Sequence, residues 1–271
     1  MASLSVLMSI YIKEKPEYAD ECFRSLLRQT VKADEWVIVE DGPLSEEMYS
    51  LLDRYQSENP GLIKRIPLKK NQGLGLALRA GLPECSNELI ARMDTDDIAR
   101  EDRFEKQLAM FAADPSLDIC GSHIIEFESD ISHVLSKRKV PLTHDEIAVY
   151  QKQRSAFNHM TVMFKKSAVL KAGNYEDCPL MEDDMLWIRM LIAGAKCGNF
   201  DDSLVYVRTG YAMIERRGGW DYYKKYKRGR KKILQTGYIS GWDYYKTLGI
   251  QFVVALVPKK IRLFIFTKLL R

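Results

Sequence analysis

Short apolar runs alternate with amphipathic segments through the first hundred residues, and this alternation constrains the fold more than any other feature of the sequence. Three runs have the length and largely apolar character of buried strands, at residues 4–11, 36–39 and 89–93, and residues 63–67 form a weaker candidate strand. Amphipathic helices are predicted between them, at residues 16–29, 45–55 and 74–81. Strand–helix–strand units of this kind form parallel sheets with right-handed crossovers. We therefore predict an α/β fold.

Helices and strands continue to alternate after residue 100. Helices are predicted at residues 102–113, at 143–150 and from Glu182 onward, and strands at residues 118–127, 157–164 and 204–208. No internal repeat or low-complexity linker divides this part of the chain. We predict one domain at residues 1–215, followed by a basic helical extension at residues 216–271.

Each of the first four strands ends in polar residues. Ser9 and Tyr11 close the first strand, and the next three strands are followed by Asp41, Asn71 and Asp94. The carboxyl ends of parallel strands meet at one edge of a sheet, where open α/β folds bind their ligands. We expect these side chains to line a nucleotide pocket.

The sequence Asp94-Thr95-Asp96-Asp97 directly follows the fourth strand. Three carboxylates within four residues repel one another unless a cation or a set of hydrogen-bond donors compensates their charge. Mg²⁺ and similar hard cations prefer such oxygen ligands and also hold phosphates. Metal-assisted handling of a nucleotide diphosphate is therefore indicated. The alternative is an acidic turn or a helix N-cap, because aspartate is favoured in both.

Composition excludes several classes of protein. With 46% hydrophobic residues among 271, the chain can bury a full core and is neither disordered nor fibrous. Its five cysteines are scattered without CxxC spacing, which argues against a disulfide framework or a zinc site. The amino terminus lacks signal-peptide features, and no apolar run reaches the about 20 residues that span a bilayer. We expect a cytoplasmic location.

Basic residues are concentrated at the carboxyl end. Residues 216–271 hold 15 of the 41 lysines and arginines and only two acidic residues, a net charge of +13 that leaves −9 for residues 1–215. Short apolar segments lie beside these cations at residues 250–271, a pattern typical of interfacial contact with an anionic membrane. We expect such contact at the inner face of the cell membrane.

Two other interpretations of the basic tail stay open. Nucleic-acid binding is the first, although the aliphatic and phenylalanine residues that follow the cations have no evident use against phosphates, so we expect no nucleic-acid partner. The second is an amphipathic helix docked on the core or on the partner subunit of a homodimer.

Several motifs occur in the order and spacing of one family. They are Ser5-Val6-Leu7-Met8-Ser9-Ile10-Tyr11, Ser25-Leu26-Leu27-Arg28-Gln29-Thr30, Val39-Glu40-Asp41-Gly42, Asn71-Gln72-Gly73-Leu74-Gly75, Met93-Asp94-Thr95-Asp96-Asp97 and Met181-Glu182-Asp183-Asp184-Met185-Leu186-Trp187-Ile188-Arg189. The chain resembles a family-2 glycosyltransferase over residues 3–210, and from Arg216 onward it is similar to the amylovoran and capsular-polysaccharide branch. The resemblance implies the GT-A nucleotide-diphospho-sugar transferase fold. That fold is a Rossmann-like mixed sheet, mostly parallel, here followed by a basic amphipathic helical tail.

The resemblance implies roles for the residues at the strand ends. Asp41 would accept a hydrogen bond from the N3 proton of uracil, a task suited to a carboxylate. Tyr11 would flank the base with Ser9 beside it, while Asn71 and Gly73 would shape the adjoining loop. A turn residue at Asp41 and a core aromatic at Tyr11 are the alternatives.

The resemblance also implies how the tetrad works. Asp96 would coordinate Mn²⁺ or Mg²⁺ bridging the two phosphates, and Asp94 would reach the metal through water or the ribose. Asp97 has no assigned role and is expected to cap the next helix or to orient Arg92 or Arg103.

A second acidic centre lies at Glu182-Asp183-Asp184. In the family, the Asp of a Glu-Asp pair before a Leu-Trp-x-Arg helix is the general base, which corresponds to Asp183. Base and metal on opposite faces of the anomeric carbon would invert its configuration. Glu182 and His159 are candidates for the acceptor side. The alternatives are structural, because acidic residues favour helix starts and a lone strand histidine is commonly part of the core.

Three arginines are candidates for a lid. Arg208, Arg216 and Arg217 would approach the diphosphate as a hinge at Gly218-Gly219 closes. A solvated basic face is the alternative interpretation.

Two departures from the family pattern refine the prediction. Leu78 stands where many members carry an arginine that contacts the base, followed here by Arg79, which weakens the expectation of uracil selectivity. The Gln-x-x-Arg-Trp motif and the membrane spans of more elaborate synthases are absent, so addition of a single sugar is expected.

The predicted activity is an inverting, metal-dependent transfer of a hexose from a UDP-sugar to a hydroxyl of a lipid-linked saccharide in surface-polysaccharide assembly. One alternative is a sugar nucleotidyltransferase, although no Gly-rich loop follows the first strand. The other is a membrane-surface or nucleic-acid-binding module with a degenerate nucleotide fold.

Overall fold

The computed structural model describes residues 3–178, 180–209 and 218–257. The strands in these ranges are β1 Leu4–Ile10, β2 Glu35–Glu40, β3 Ile63–Pro67, β4 Leu89–Arg92, β5 Ile98–Ala99, β6 Leu117–Phe127, β7 Val134–Arg138, β8 Met163–Lys165 and β9 Lys196–Arg208. The helices are α1 Pro16–Leu27, α2 Glu46–Glu58, α3 Leu74–Gly81, α4 Arg103–Ala113, α5 His144–Tyr150, α6 Lys166–Lys171, α7 Glu182–Ile192, α8 Trp220–Gln235 and α9 Gly241–Leu256.

One mixed sheet organises the molecule, with strand order β3-β2-β1-β4-β8-β6-β9-β5 and β7 paired to β6. Strands β3, β2, β1 and β4 are parallel, as their alternation with helices predicts. Antiparallel pairing enters where β8 joins β4 and β6, and it continues at β7 and β5. The mixed sheet is confirmed, and its antiparallel share is larger than expected because β8 enters the sheet against the direction of β4.

The predicted strand at residues 157–164 is shortened to β8. Its first part forms a 3₁₀ turn at His159–Thr161, because side chains there bond to the main chain. The Asn158 amide donates to the Ser122 carbonyl at 2.8 Å, and the Thr161 hydroxyl donates to the Asn158 carbonyl at 2.8 Å. Such local bonds compete with a strand ladder.

Helices cover both faces of the sheet, which explains the continuous apolar character of β1. Val6 and Met8 face one core cluster under α1, α2 and α4, whereas Leu7 faces a second cluster under α3, α6 and α7. Leu78 is fully buried in that second cluster. The position where many family members carry an arginine is therefore filled by core packing in this chain.

The two carboxyl-terminal helices dock on the body through their inner faces. Ile233 of α8 and Tyr244 and Leu248 of α9 join a third cluster with residues at the start of α7. A Cβ on Gly229 would lie 2.9 Å from Met181 Sδ, so glycine permits the close approach of α8. Docking therefore places α8 against the residue that precedes the second acidic centre.

Hydrogen bonds also hold the two carboxyl-terminal helices on the body. The Arg230 guanidinium donates to the Lys152 carbonyl at 2.8 Å, and the Tyr238 hydroxyl donates to the Ala148 carbonyl at 2.7 Å. None of the helices in the described ranges is both long and apolar enough to cross a membrane. The end of the basic tail, residues 258–271, lies outside the described residues.

Candidate active site

The tetrad follows β4 at the carboxyl edge of the sheet. One carboxylate oxygen from each of Asp94, Asp96 and Asp97 lies within 4.8 Å of the others. The Arg92 Nη2 atom is 2.5 Å from Asp94 Oδ1 and supplies part of the compensating charge. The sequence prediction that these carboxylates converge at the strand end agrees with this geometry.

Asp97 is the most deeply buried of the three carboxylates. Its Oδ1 atom accepts a hydrogen bond from the Arg208 backbone N–H at 2.8 Å. Its Oδ2 atom is buried and has no hydrogen-bond partner among the described residues. Burial, and then the charges of Asp96 and Asp94, raise the pKa of Asp97 well above its ordinary value. A buried acceptor without a donor is the kind of group that a cation satisfies.

Asp96 lies at the centre of the tetrad and is half-buried. Burial, reinforced by the charge of Asp94, raises the pKa of Asp96 to about 6. Its backbone carbonyl accepts a hydrogen bond from Arg208 Nε at 3.1 Å. Arg208 therefore holds the main chain of the tetrad, and the three carboxylates lie close to one another.

Arg208 makes a network of contacts beside the tetrad. Its guanidinium carbon is 4.0 Å from the centroid of the Tyr18 ring, and the group also pairs with Glu21 and donates to the Ser129 carbonyl at 3.0 Å. These contacts hold the guanidinium beside the tetrad, and the approach of Arg208 to a diphosphate stays a prediction. Arg216 and Arg217 lie outside the described residues.

Asp41 organises the loop after β3. Its Oδ1 atom accepts from the Gln72 N–H at 2.7 Å and its Oδ2 atom from the Gly73 N–H at 3.0 Å. The Asn71 amide also donates to the Asp41 carbonyl at 3.3 Å. The carboxylate is 3% exposed. In this structure it holds the loop, and each oxygen keeps further acceptor capacity.

Glycine is required where this loop meets β2. Gly42 has a φ of +88°, and a Cβ there would lie 2.6 Å from the Asn71 backbone nitrogen. Gly73, with a φ of +90°, precedes α3. Ser9 and Tyr11 are half-buried at the end of β1, beside the β2 end that carries Asp41. The strand-end residues therefore gather at one edge.

The second acidic centre forms the first turn of α7. Burial, and then the charges of Asp184 and Glu182, raise the pKa of Asp183 well above its ordinary value. Asp183 Oδ1 accepts from the Asp184 N–H at 2.8 Å, and Gln151 donates to Asp184 Oδ1 at 2.7 Å. The positive end of the helix dipole favours these carboxylates.

The second acidic centre also lies close to the loop that follows β3. A Cβ on Gly75 would be 2.8 Å from Glu182 Cβ, so α3 and the start of α7 are in close contact. The loop at Asn71–Gly73 immediately precedes α3. The loop at Asn71–Gly73 therefore lies near the first turn of α7.

His159 lies in the core of the protein. It is 9% exposed, and its Nε2 atom lies 3.0 Å from the Tyr175 hydroxyl. Burial, followed by the charge of Arg92, lowers the pKa of His159 well below its ordinary value, so the ring is neutral. This burial is compatible with the structural interpretation of His159, and contact with the acceptor stays a prediction.

Arg92 is the functional candidate that the sequence patterns did not single out. It is 1% exposed at the end of an otherwise apolar strand. Burial and neighbouring carboxylates raise the pKa values of Asp96 and Asp183, and the positive charge of Arg92 partly offsets that rise in both acidic centres. A charged residue in the last position of a buried strand was the available signal.

Solved structures with the same architecture are known. The chain superposes on S. aureus TarS with a TM-score of 0.62 at 16% identity, covering 99% of this chain and 43% of that chain. It superposes on a mannosyltransferase from Pyrobaculum calidifontis, solved with GDP-Man and Mn2+, with a TM-score of 0.64 at 14% identity, covering 96% and 71%. These likenesses confirm the predicted GT-A glycosyltransferase fold.

Sequence comparisons identify the family. The family model described as glycosyl transferase family 2 matches residues 5–172. The chain is 40% identical over 267 residues to an amylovoran biosynthesis glycosyltransferase of Erwinia amylovora, covering 97% of this chain and 98% of that protein. It is 35% identical to a UDP-Gal:alpha-D-GlcNAc-diphosphoundecaprenol beta-1,3-galactosyltransferase of Escherichia coli, covering 98% and 96%. The chain belongs to glycosyltransferase family 2.

Family membership decides between the classes that the sequence left open. The protein is a glycosyltransferase, not a sugar nucleotidyltransferase or a binding module with a degenerate fold. The resemblance to the amylovoran branch is confirmed.

Proposed function

We propose that this glycosyltransferase moves a hexose from a UDP-sugar to a hydroxyl of a lipid-linked saccharide in surface-polysaccharide assembly. The observation that carries the proposal is the pair of acidic centres, 94–97 and 182–184, at the carboxyl edge of one sheet. A donor-side metal site and an acceptor-side base are the two groups that a direct displacement needs. The relative whose name specifies a UDP-Gal donor and a diphosphoundecaprenol-linked acceptor supports the substrate class.

The tetrad fits a divalent cation such as Mn²⁺ or Mg²⁺. Asp96 and Asp94 would hold the ion, with Asp97 Oδ2 as a further oxygen because it is buried and unpaired in the described structure. All these donors are hard oxygens, which Mg²⁺ and Mn²⁺ accept. When bound, the ion offsets the charge that develops on the departing nucleoside diphosphate.

Asp183 is proposed as the general base. Its raised pKa makes the ionised carboxylate a stronger proton acceptor than an ordinary aspartate, which suits the removal of a hydroxyl proton. The acceptor oxygen attacks the anomeric carbon as Asp183 takes its proton, and the nucleoside diphosphate leaves from the opposite face. This displacement inverts the anomeric configuration. Glu182, which lies beside α3, is proposed to contact the acceptor.

The nucleotide is proposed to bind at the β1 and β2 ends. Asp41 presents its remaining acceptor capacity to the uracil N3 proton, while Asn71 and Gly73 form the wall beside the base. Tyr11 and Ser9 flank the base from β1. Arg79 is not expected to replace the arginine missing at Leu78, because it donates to the Tyr175 carbonyl at 2.6 Å.

A donor screen tests the activity. Purified protein is incubated with UDP-glucose, UDP-galactose, UDP-N-acetylglucosamine or GDP-mannose and a diphospholipid-linked sugar, with Mn²⁺ or with EDTA. Nucleoside diphosphate release from one UDP-hexose is expected to exceed the EDTA value by at least about tenfold, because the ion stabilises the leaving group by several kcal/mol. Preference for GDP-mannose contradicts the uridine assignment, and a product with retained anomeric configuration contradicts direct displacement.

We also propose that the protein contacts the anionic inner face of the cell membrane through the outer face of α9. This face consists of Trp242, Tyr245, Gly249, Val253 and Leu256. Trp242 and Tyr245 are 75% and 72% exposed, and Val253 and Leu256 are more than half exposed. Aromatic residues at the edge of an apolar helix face are typical of the membrane interface.

Charge complementarity supports an anionic bilayer as the occupant of this face. The neighbouring helix α8 exposes five cations, which are Lys224, Lys225, Lys227, Arg228 and Lys231. Each cation near an anionic surface contributes about 1 kcal/mol. A lipid-linked acceptor would then meet the enzyme at the bilayer surface.

Vesicle sedimentation tests the membrane contact. Replacing Trp242, Tyr245 and Val253 together by serine is expected to weaken binding to phosphatidylglycerol vesicles by at least about fivefold, because apolar contact area is lost at the interface. The control is Val149→Ser, which removes a similarly exposed apolar side chain from α5. Unchanged vesicle binding by the triple variant contradicts the proposal. If the variant instead dissociates a dimer in sedimentation equilibrium without altering vesicle binding, the face is a contact between two copies.

A further inference from the structure

Arg92 carries a positive charge at a depth where charges are costly. The residue is 1% exposed, and its Nη2 atom is 2.5 Å from Asp94 Oδ1. Its Nε and Nη1 atoms are buried and have no hydrogen-bond partner within the described residues. A buried guanidinium with one ion-pair contact is stable only if further negative charge lies around it.

Both acidic centres supply that negative charge. The guanidinium charge acts on Asp96 and Asp97 of the tetrad and also on Glu182 and Asp183 of the second centre. Charges in a partly desolvated cleft interact more strongly than the same charges in water. Arg92 is therefore a counter-charge shared by the two centres.

Arg208 and Arg103, the other arginines near the tetrad, form no ion pair with its carboxylates among the described residues. Arg208 is paired with Glu21 and donates to main-chain carbonyls. Arg103 donates to the Arg92 carbonyl at 2.8 Å and to Gln107 Oε1 at 3.0 Å, so its guanidinium binds the main chain at the end of β4. Of the arginines in the described ranges, Arg92 is the one that forms an ion pair with a tetrad carboxylate.

We propose that Arg92 is a positioning residue that fixes Asp94 and, by offsetting the charge of the tetrad, keeps a free divalent cation from binding tightly until the nucleotide diphosphate is present. The inference rests on the proposed metal-binding role of the tetrad. A dication meeting three carboxylates next to an arginine gains less Coulomb energy than one meeting the carboxylates alone. The two negative charges of the diphosphate make up for the attraction on the cation that Arg92 offsets. Metal binding is thereby coupled to donor binding.

Mn²⁺ binding measured by electron paramagnetic resonance, without nucleotide and then with UDP, tests the inference. The neutral variants Arg92→Met and Arg92→Gln are expected to bind Mn²⁺ alone at least tenfold more tightly than the unmodified protein. Arg92→Lys, which keeps the charge, is expected to stay within threefold. UDP should tighten Mn²⁺ binding at least tenfold in the unmodified protein and to a similar degree in the neutral variants, because the attraction between the ion and the diphosphate does not depend on Arg92.

Steady-state kinetics supply a second readout. Arg92→Met is expected to lose at least 30-fold in kcat with less than a threefold change in donor KM, because Asp94 loses its anchor. Arg92→Gln should retain more of kcat, since its amide can still donate to Asp94. Arg189→Met is the matched control, because Arg189 contacts Glu176 and the Asn174 carbonyl and not the tetrad. It should leave Mn²⁺ affinity within twofold.

The outcomes separate this inference from the proposed function. If Asp96→Asn binds Mn²⁺ as the unmodified protein does, the tetrad is not the metal site, and both proposals are wrong. If Asp96→Asn loses the ion but folded neutral Arg92 variants bind free Mn²⁺ no more tightly, the Arg92 inference alone is wrong. Circular dichroism melting establishes which variants are folded. If Arg92→Met is not folded, Arg92→Gln takes its place in the comparison.

Discussion

Replacing Asp96 by asparagine is expected to lower kcat by at least about a hundredfold, because a metal that stabilises the leaving group supplies several kcal/mol. The carboxylate lies among the three tetrad oxygens that converge within 4.8 Å, and an amide is a much weaker ligand for a hard cation. Transfer assays with saturating Mn²⁺ and UDP-sugar measure the effect. The control is Asp53→Asn, which removes an exposed carboxylate from α2.

The Asp96→Asn variant is expected to lose activity without losing stability. The pKa of Asp96 is raised to about 6, so the folded protein binds this proton more tightly than the unfolded chain does. Ionisation therefore destabilises the fold as pH rises from the ordinary aspartate range through pH 6 and above. Asparagine cannot ionise, so Asp96→Asn should melt no lower than the unmodified protein at pH 8. A variant that is folded and fully active contradicts the metal role of Asp96, and one that is inactive because it has unfolded contradicts the stability argument.

Replacing Asp183 by asparagine is expected to lower kcat by about a hundredfold to ten-thousandfold, the range of general base catalysis. Donor KM should change little, because Asp183 lies in the first turn of α7 and not among the tetrad ligands. Asp184→Asn is the matched control, since that neighbouring carboxylate bonds to Gln151. Its effect should be less than about fivefold, as expected when a substitution leaves the catalytic groups in place.

The pH profile distinguishes a base from a structural carboxylate. The raised pKa of Asp183 means that the carboxyl is protonated and inactive at low pH, and that transfer increases as pH rises through its pKa. This acid limb should disappear in Asp183→Asn, whose residual rate no longer depends on that proton. A residual profile with the same acid limb, or a loss shared equally by Asp184→Asn, contradicts the assignment of the base.

Sequence patterns predicted the parallel strands β1, β2, β3 and β4 well. These strands and the helices between them carry local signals: largely apolar runs in β1, β2 and β4, Pro16 at a helix start, and Ser45 capping α2. The same patterns predicted the convergence of the tetrad with Asp41, because strand ends in a parallel sheet share an edge. The rest of the sheet, where β8 pairs antiparallel with β4 and β6 while β6 and β9 are parallel, was predicted less well. One reason is that the 3₁₀ turn at His159–Thr161 depends on a bond from Asn158 to a distant strand.

The sequence by itself determined the fold class, the family and the two acidic centres, because periodicity, turn residues and charge clusters are encoded within a few neighbouring positions. Only the tertiary structure decided how those centres are supported. The Arg208 backbone N–H donates to Asp97 across 111 residues of chain. Arg92, at the end of β4, forms an ion pair with Asp94 and acts electrostatically on Asp183. His159 is buried because Tyr175 and Trp187 pack against it. Such partners depend on strand order and helix packing, which bring together residues that share no local pattern.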